Sequence, residues 1–151
     1  MTSYEANFQA NCQQLIQQWQ GEDILLFAGA TEEEFAFLEN CLGLKLPEDF
    51  RYFYALANGM ERNMDKYMFC LWPLTEIADR AVHYPKTASG KTELIPFGDF
   101  LIDSHRYLLK TDGSGSYHIT SENDLEERLA DCFAHFIQRY LSEPQNLYLW
   151  L

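Results

Sequence analysis

The chain has 151 residues, of which 47% are hydrophobic and 15% aromatic, so we expect one ordered domain with a buried core. Its 23 acidic and 11 basic residues give a formal net charge of −12. A field of this sign repels nucleic acids and anionic membranes and attracts basic partners, although solubility alone would explain the charge equally well.

The first thirty residues contain one helical pattern and one short apolar run. Thr2 and Glu5 form a capping-box pair, and Gly21 is expected to end the helix that follows. Its apolar stripe is Phe8, Cys12, Leu15, Ile16 and Trp19. Ile24–Phe27 is either a short strand or an extended strut, because four residues do not decide the period. The start has no leader pattern and no apolar run long enough for a bilayer, so we expect a cytoplasmic protein.

Two short helices are predicted in the thirty residues that begin at Thr31. Thr31 and Glu34 form a capping box, and Gly43 is placed to end the first helix in a left-handed conformation. Pro47 fits the first turn of the second helix, and Asn58-Gly59 is expected to close it. The two apolar stripes are Phe35, Leu38 and Leu42, then Phe50, Phe53, Tyr54 and Ala57.

The middle of the chain is predicted to be mostly sheet. Tyr67–Trp72 is typical of a buried strand, and Thr75 is expected to cap a helix after it. The period then becomes strand-like in four runs, which are Leu94–Phe97, Phe100–Ile102, Arg106–Lys110 and Tyr117–Ile119. Asp103-Ser104 and the stretch Asp112 to Gly115 are the turns between them. Consecutive strands with short turns predict an antiparallel meander.

The C-terminal region is predicted to form a long helix. Ser121 is the expected cap, with Asp124 three residues later, and the stripe comprises Leu125, Leu129, Phe133, Phe136, Ile137 and Tyr140. The apolar tail at residues 146–151 would pack either on its own domain or on another copy, which gives a monomer or a weak homo-oligomer. We therefore predict an α+β fold with a single domain at 1–151, in which a meander of about four to six strands packs against N-terminal, central and C-terminal helices.

The sequence contains no strong catalytic or metal-binding motif. Its four histidines are isolated from one another: His83, His105, His118 and His135. Asp103 and His105 are the nearest approach to a ligand pair, and such a pair more often flanks a turn. The cysteines are scattered and are expected to be buried free thiols: Cys12, Cys41, Cys70 and Cys132. We therefore expect no catalytic residue, no cofactor and no metal.

Residues 42–59 read LGLKLPEDFRYFYALANG, and this pattern resembles the signature of the Smi1/Knr4 family, also called the SUKH superfamily. The motif positions that cap, turn or pack include Pro47, Asp49, Asn58 and Gly59. Residues 95–97 and 129–137 resemble two further family motifs, so the resemblance covers about 31–141. Where the family has a Gly-rich run, this chain has Asp-Phe-Leu-Ile-Asp at residues 99–103.

The resemblance implies a protein-binding module without a catalytic residue. Bacterial members resemble immunity proteins that neutralise a cognate toxin of a contact-dependent or polymorphic toxin system, and many such toxins are basic nucleases. The alternatives are a regulatory adaptor, as in the fungal relatives, and an enzyme with two convergent carboxylates. Acidic residues beside predicted turns are the expected contacts with a basic toxin domain: Glu61, Asp65, Asp99, Asp103 and Asp112.

Overall fold

The computed structural model describes residues 3–61, 64–112 and 114–147. Its elements, in chain order, are α1 Ser3–Ala6, α2 Phe8–Gly21, β1 Leu26–Ala28, α3 Glu32–Leu42, α4 Glu48–Leu56, β2 Ala57–Met60, β3 Phe69–Leu71, α5 Leu74–Ala81, β4 Leu94–Phe100, β5 His105–Thr111, β6 Tyr117–Ser121, α6 Phe133–Ser142 and a 3-10 helix at Pro144–Leu147. Among the described residues, no helix has both the length and the apolar composition that crossing a bilayer requires.

Four strands form an antiparallel sheet in the order β3, β4, β5 and β6. A meander after Leu94 is confirmed, although it has three strands instead of the four predicted runs, and β3 joins its edge from before α5. Phe69 pairs with Phe100, and Leu109 pairs with both Ile95 and Ile119. A separate two-stranded sheet is formed by β1 and β2. In the ambiguous run Ile24–Phe27, the strand therefore begins only at Leu26, and Ile24 and Leu25 lie before it. The α+β prediction is confirmed.

The helices cover the meander through an aromatic core. On the sheet side, Phe97 contacts Phe133 and Phe136 of α6, with ring centroids 5.6 and 5.4 Å apart. One turn further along α6, Tyr140 lies 6.4 Å from Trp19 of α2 and 5.2 Å from Phe69 of β3, and the Trp19 side chain is fully buried. Burial of these rings is the main stabilising contribution that places the helices on the sheet.

Local signals fix the start and the end of α3 as predicted. The Thr31 hydroxyl accepts a hydrogen bond from the Glu34 amide at 3.2 Å, and the Glu34 carboxylate accepts one from the Thr31 amide at 3.0 Å. Gly43 has φ +73°, and a Cβ there would lie 2.2 Å from the Gly90 carbonyl oxygen. Glycine is therefore required at the end of α3 both by the backbone conformation and by the close approach.

Three residues of the family motif join separate elements. The Asp49 carboxylate accepts hydrogen bonds from the Ala134 amide of α6, at 2.9 Å, and from the Tyr117 hydroxyl. Asn58 is buried, and its side-chain oxygen accepts a bond from the Leu74 amide of α5 at 2.9 Å. Gly59 has φ +80°, and a Cβ there would lie 2.5 Å from the Pro73 nitrogen. These contacts hold α4, β2, α5 and α6 in register with one another.

Three predicted boundaries of the helices α4 and α5 are wrong. Helix α4 ends at Leu56, and Asn58-Gly59 belongs to strand β2, because the Asn58 side chain binds α5 and Glu34 instead of closing α4. Pro47 is the N-cap of α4 and lies just outside its first turn. In the same way Pro73 is the N-cap of α5, so Thr75 lies inside that helix.

The last helix is shorter than predicted. Ser121 ends strand β6, and α6 begins only at Phe133. The chain between them extends the sheet, since the Leu129 amide donates to the Ile119 carbonyl at 2.8 Å and Ala130 forms a bridge with Ile119. This pairing satisfies backbone groups of β6 that a helix would leave open.

The predicted strand Phe100–Ile102 does not exist, because β4 runs through Phe100 and the chain then turns. The capping pair at Thr2, the glycine at 113 and the tail beyond Leu147 lie outside the described residues. Leu147 itself is buried, and its carbonyl accepts a hydrogen bond from the Tyr107 hydroxyl at 3.1 Å.

Candidate partner-binding site

Asp65, the first of the two buried candidate acids, is only 4% exposed and is fully engaged inside the fold. It accepts hydrogen bonds from the Trp19 indole at 2.9 Å, from the amides of Tyr67 and Phe69 at 2.8 and 3.1 Å, and from the Tyr140 hydroxyl. Sequence reasoning expected a surface position in the loop after β2. The structure corrects that location, because the carboxylate closes a loop onto α2 and α6.

Asp99 is also buried, at 8% exposure, and binds the backbone of the β4–β5 turn from the inside of the fold. Its carboxylate accepts bonds from the Trp72 indole at 2.6 Å and from the Asp103 amide at 3.0 Å. Its expected surface position is wrong as well. Glu61, Asp103 and Asp112 are exposed, and partner contact by these three residues stays a prediction.

The β4–β5 turn has a strained backbone. Leu101, Ile102 and Asp103 all have positive φ, at 54°, 52° and 64°. Met68, which faces the turn, has φ 64°, and its carbonyl accepts a hydrogen bond from the Leu101 amide at 2.9 Å. A left-handed conformation costs about 1–2 kcal/mol for each L-residue, and a β-branched residue such as Ile102 rarely adopts it. Strain of this kind concentrates at functional sites.

An ionic network holds the turn in this conformation. The Asp103 carboxylate accepts bonds from Arg106 at 2.9 and 3.1 Å and from Arg80 at 3.1 Å. Hydrogen bonding from Arg106 is the largest effect on the pKa of Asp103 and lowers it below its ordinary value, and hydrogen bonding from Arg80 acts in the same direction. Both guanidinium groups also lie over the Trp72 ring, that of Arg80 at 4.9 Å from its centroid and that of Arg106 at 5.7 Å. The backbone is thus fixed from both sides before any partner binds.

The turn exposes apolar side chains that the core does not use. Ile102 is 79% exposed, Leu101 38% and Met68 41%. We call these three residues the apolar tip. Sequence reasoning missed it and assigned Phe100–Ile102 to a strand. The available signal was the replacement of the family's Gly-rich run at 99–103, since glycine is the residue that tolerates positive φ.

A second exposed apolar pair, which we call the β1 edge, comprises Phe27 of β1 and Leu25 just before that strand. Leu25 is 64% exposed and Phe27 40%. The Glu61 amide donates to the Leu25 carbonyl at 2.8 Å, which places the exposed Glu61 beside this strand. An outer strand of this kind is a general docking edge.

A cleft lies between the α3–α4 connection and strands β4, β5 and β6. This shallow cleft of ≈ 380 Å³ is lined by Lys45, Lys91, Ile95, Leu109 and Tyr117 among others, and no carboxylate is among its described lining residues. The searched part of the chain contains no group of three or more residues that could hold a metal ion. The four cysteines carry thiols rather than disulfides, but Cys41, Cys70 and Cys132 are only partly buried, so the expected full burial holds for Cys12 alone among them. Burial raises the pKa of Cys12 to about 12 and that of Cys132 to about 11, so both are protonated and unreactive at neutral pH.

The fold and its motif contacts define an α+β protein in which helices back an antiparallel meander. The family model for SMI1 / KNR4 (SUKH-1) matches residues 29–139. The chain belongs to the SMI1/KNR4 family. A comparison with curated proteins finds none that matches it.

Proposed function

We propose that this chain is a non-catalytic immunity protein that binds and neutralises a cognate basic toxin domain in the cytoplasm. The observation that carries the proposal is the family match over residues 29–139. The unreactive thiols and the cleft without carboxylates agree with a role in binding rather than in catalysis.

The charge of the protein supports a basic partner. A formal net charge of −12 attracts a cationic domain over several ångströms and raises the association rate at low ionic strength. If the toxin is a nuclease, carboxylates of the immunity protein would occupy the surface that otherwise meets phosphate. The same charge disfavours direct binding of nucleic acid.

Co-expression with a candidate toxin tests the proposal. The candidate is the C-terminal domain of a large secreted protein encoded beside the gene of this chain. We expect growth rescue, a stable complex on size exclusion, and an association rate that falls at least about tenfold between low and high salt. A toxin domain from an unrelated system serves as the matched control.

The absence of both rescue and complex with the neighbouring toxin would overturn the proposal. Binding to a regulator of the host cell, without any effect on the toxin, would instead support the adaptor function. Both results use the same purified chain, so the two functions are separated in one set of measurements.

A further inference from the structure

We propose that the apolar tip anchors this chain in its toxin, with Ile102 inserted into an apolar depression that lysine and arginine side chains surround. This inference rests on the proposed function and assigns the contact surface. The partner it fits is a folded, basic protein domain. The tip is distinct from the acidic turn residues that the sequence predicts as contacts, although one of them, Asp103, directly follows Ile102 in the same turn.

The first argument is that the fold does not need these side chains. Ile102 is 79% exposed, so it contributes little to the core, and glycine would adopt its φ of 52° without strain. The chain nevertheless carries two consecutive bulky residues there, Leu101 and Ile102. An exposed apolar side chain on a strained backbone indicates contact with another molecule.

The second argument is preorganisation. Asp99 binds the amide of Asp103 from inside, and the Asp103 carboxylate binds Arg80 and Arg106 from outside. The turn therefore has one conformation before binding, and little conformational entropy remains to be lost in the complex. Rigid apolar anchors of this kind are the residues that dominate interface energies.

The charge around the tip indicates the chemistry of the partner. Four carboxylates lie in the network, and two guanidinium groups oppose them, which leaves a formal charge of −2 (4 acids against 2 bases). The acids are Glu76, Asp99, Asp103 and Glu122, and the bases are Arg80 and Arg106. The side chains of Glu76, Asp103 and Glu122 are 37–44% exposed, so they can pair with cations at the rim of an interface.

The β1 edge is the rival surface, since Leu25 and Phe27 are also exposed. Neither Leu25 nor Phe27 has positive φ, and short edge strands with a few apolar side chains are common in folded proteins. Of these two surfaces, the tip is the one that combines exposure with strained backbone and a network that maintains the strain. We therefore assign the anchor to the tip and use β1 as the control.

The experiment compares two substitutions of Ile102 with one substitution of Leu25 at the β1 edge. In Ile102→Gly and Ile102→Asn the new residue tolerates positive φ, so we expect an unfolding midpoint in urea that is equal to or higher than that of the native chain. Affinity for the toxin domain should fall by about thirty-fold or more in both variants. Leu25→Ala removes a side chain of similar exposure and should change affinity less than about threefold.

Each other result has a distinct meaning. If the native chain binds the toxin and both Ile102 variants bind it within threefold, the tip is not the anchor although the proposed function stands. If Leu25→Ala alone loses affinity, the β1 edge is the interface. If the native chain does not bind the toxin at all, the proposed function fails, and a shift from dimer to monomer in Ile102→Gly would assign the tip to a second copy.

Discussion

Replacing Asp49 by alanine should weaken the attachment of the last helix, although Asp49 lies more than eighty residues earlier in the chain. The N-cap residue of α6, Cys132, makes no side-chain capping bond. Asp49 supplies the missing acceptor, because its carboxylate binds the Ala134 amide at 2.9 Å. The Tyr117 hydroxyl, which donates to Asp49, accepts the Phe133 amide at 3.1 Å. Two of the open amides of the first turn are satisfied in this way.

The magnitude follows from the contacts that the substitution removes. A hydrogen bond to a charged group contributes about 1.5–3 kcal/mol, and loss of a helix cap costs about 0.5–2 kcal/mol. The bond from the Ala134 amide is both a charged hydrogen bond and the helix cap, so these two contributions overlap and are not simply added. We therefore expect Asp49→Ala to lower the free energy of unfolding by about 2–4 kcal/mol. In a chain of this length, that corresponds to a fall in Tm of roughly 10 °C. Asp49→Asn keeps an acceptor and loses the charge, so about half of the effect should remain.

Urea unfolding followed by circular dichroism measures this effect. Glu48→Ala is the matched control, since Glu48 is the exposed neighbour in the same first turn and should cost less than about 1 kcal/mol. Tyr117→Phe completes a double-mutant cycle, in which Asp49 and Tyr117 should couple by at least about 0.5 kcal/mol. The reasoning is refuted if Asp49→Ala is no less stable than Glu48→Ala.

Three further predictions concern stability. Gly59→Ala should lower the free energy of unfolding in urea by roughly 2–5 kcal/mol, because φ is +80° and the new Cβ would lie 2.5 Å from backbone. Gly115→Ala is the control: φ is also positive there but the space is open, so the loss should be only about 1–2 kcal/mol. Equal losses in the two variants would contradict the steric argument. Burial lowers the pKa of His105, His118 and His135 below 6.5, so the unfolded state binds more protons than the folded state. The free energy of unfolding should therefore fall as the pH is lowered from 7.5 to 5.5. Burial raises the pKa of Glu76, and this partly offsets the fall. Burial raises the pKa of Tyr54, Tyr117 and Tyr140 above 10. Their contribution to the stability of the folded state is therefore complete below pH 10 and is lost as the pH rises further, and measuring the unfolding midpoint at alkaline pH would detect the loss. An unfolding free energy that does not change across these pH ranges would contradict the assigned burial.

Elements whose signals are local could be predicted from the sequence. The capping box of α3 needs only Thr31 and Glu34, three residues apart, and the Gly43 stop is equally local. The order of β4, β5 and β6 follows from the short turns between them, whereas the pairing of β3 with β4 spans α5 and has no local signal. The long C-terminal helix was wrong because a local apolar period at Leu125 and Leu129 is compatible with helix. Pairing of Leu129 with Ile119 of β6 takes precedence, and nothing near Leu129 in sequence reveals it.

The candidate site depends on contacts that sequence spacing does not contain. Asp65 and Asp99 resemble ordinary turn acids, yet their indole partners, Trp19 and Trp72, lie 46 and 27 residues away. Burial of these two carboxylates removes them from the surface, and the polar environment that makes the burial favourable is assembled only by the fold. The left-handed turn at Leu101 was equally hidden, because bulky apolar residues are typical of a strand.

The separation between the frame and the apolar tip explains how one fold could serve different partners. Asp49, Asn58 and Gly59 belong to the family motif, and each joins separate elements, so their substitution would disturb the whole frame. Leu101 and Ile102 lie outside that motif and are held by a network rather than by the core. Their side chains can therefore change with little effect on the fold, which is the property that a specificity-determining surface requires.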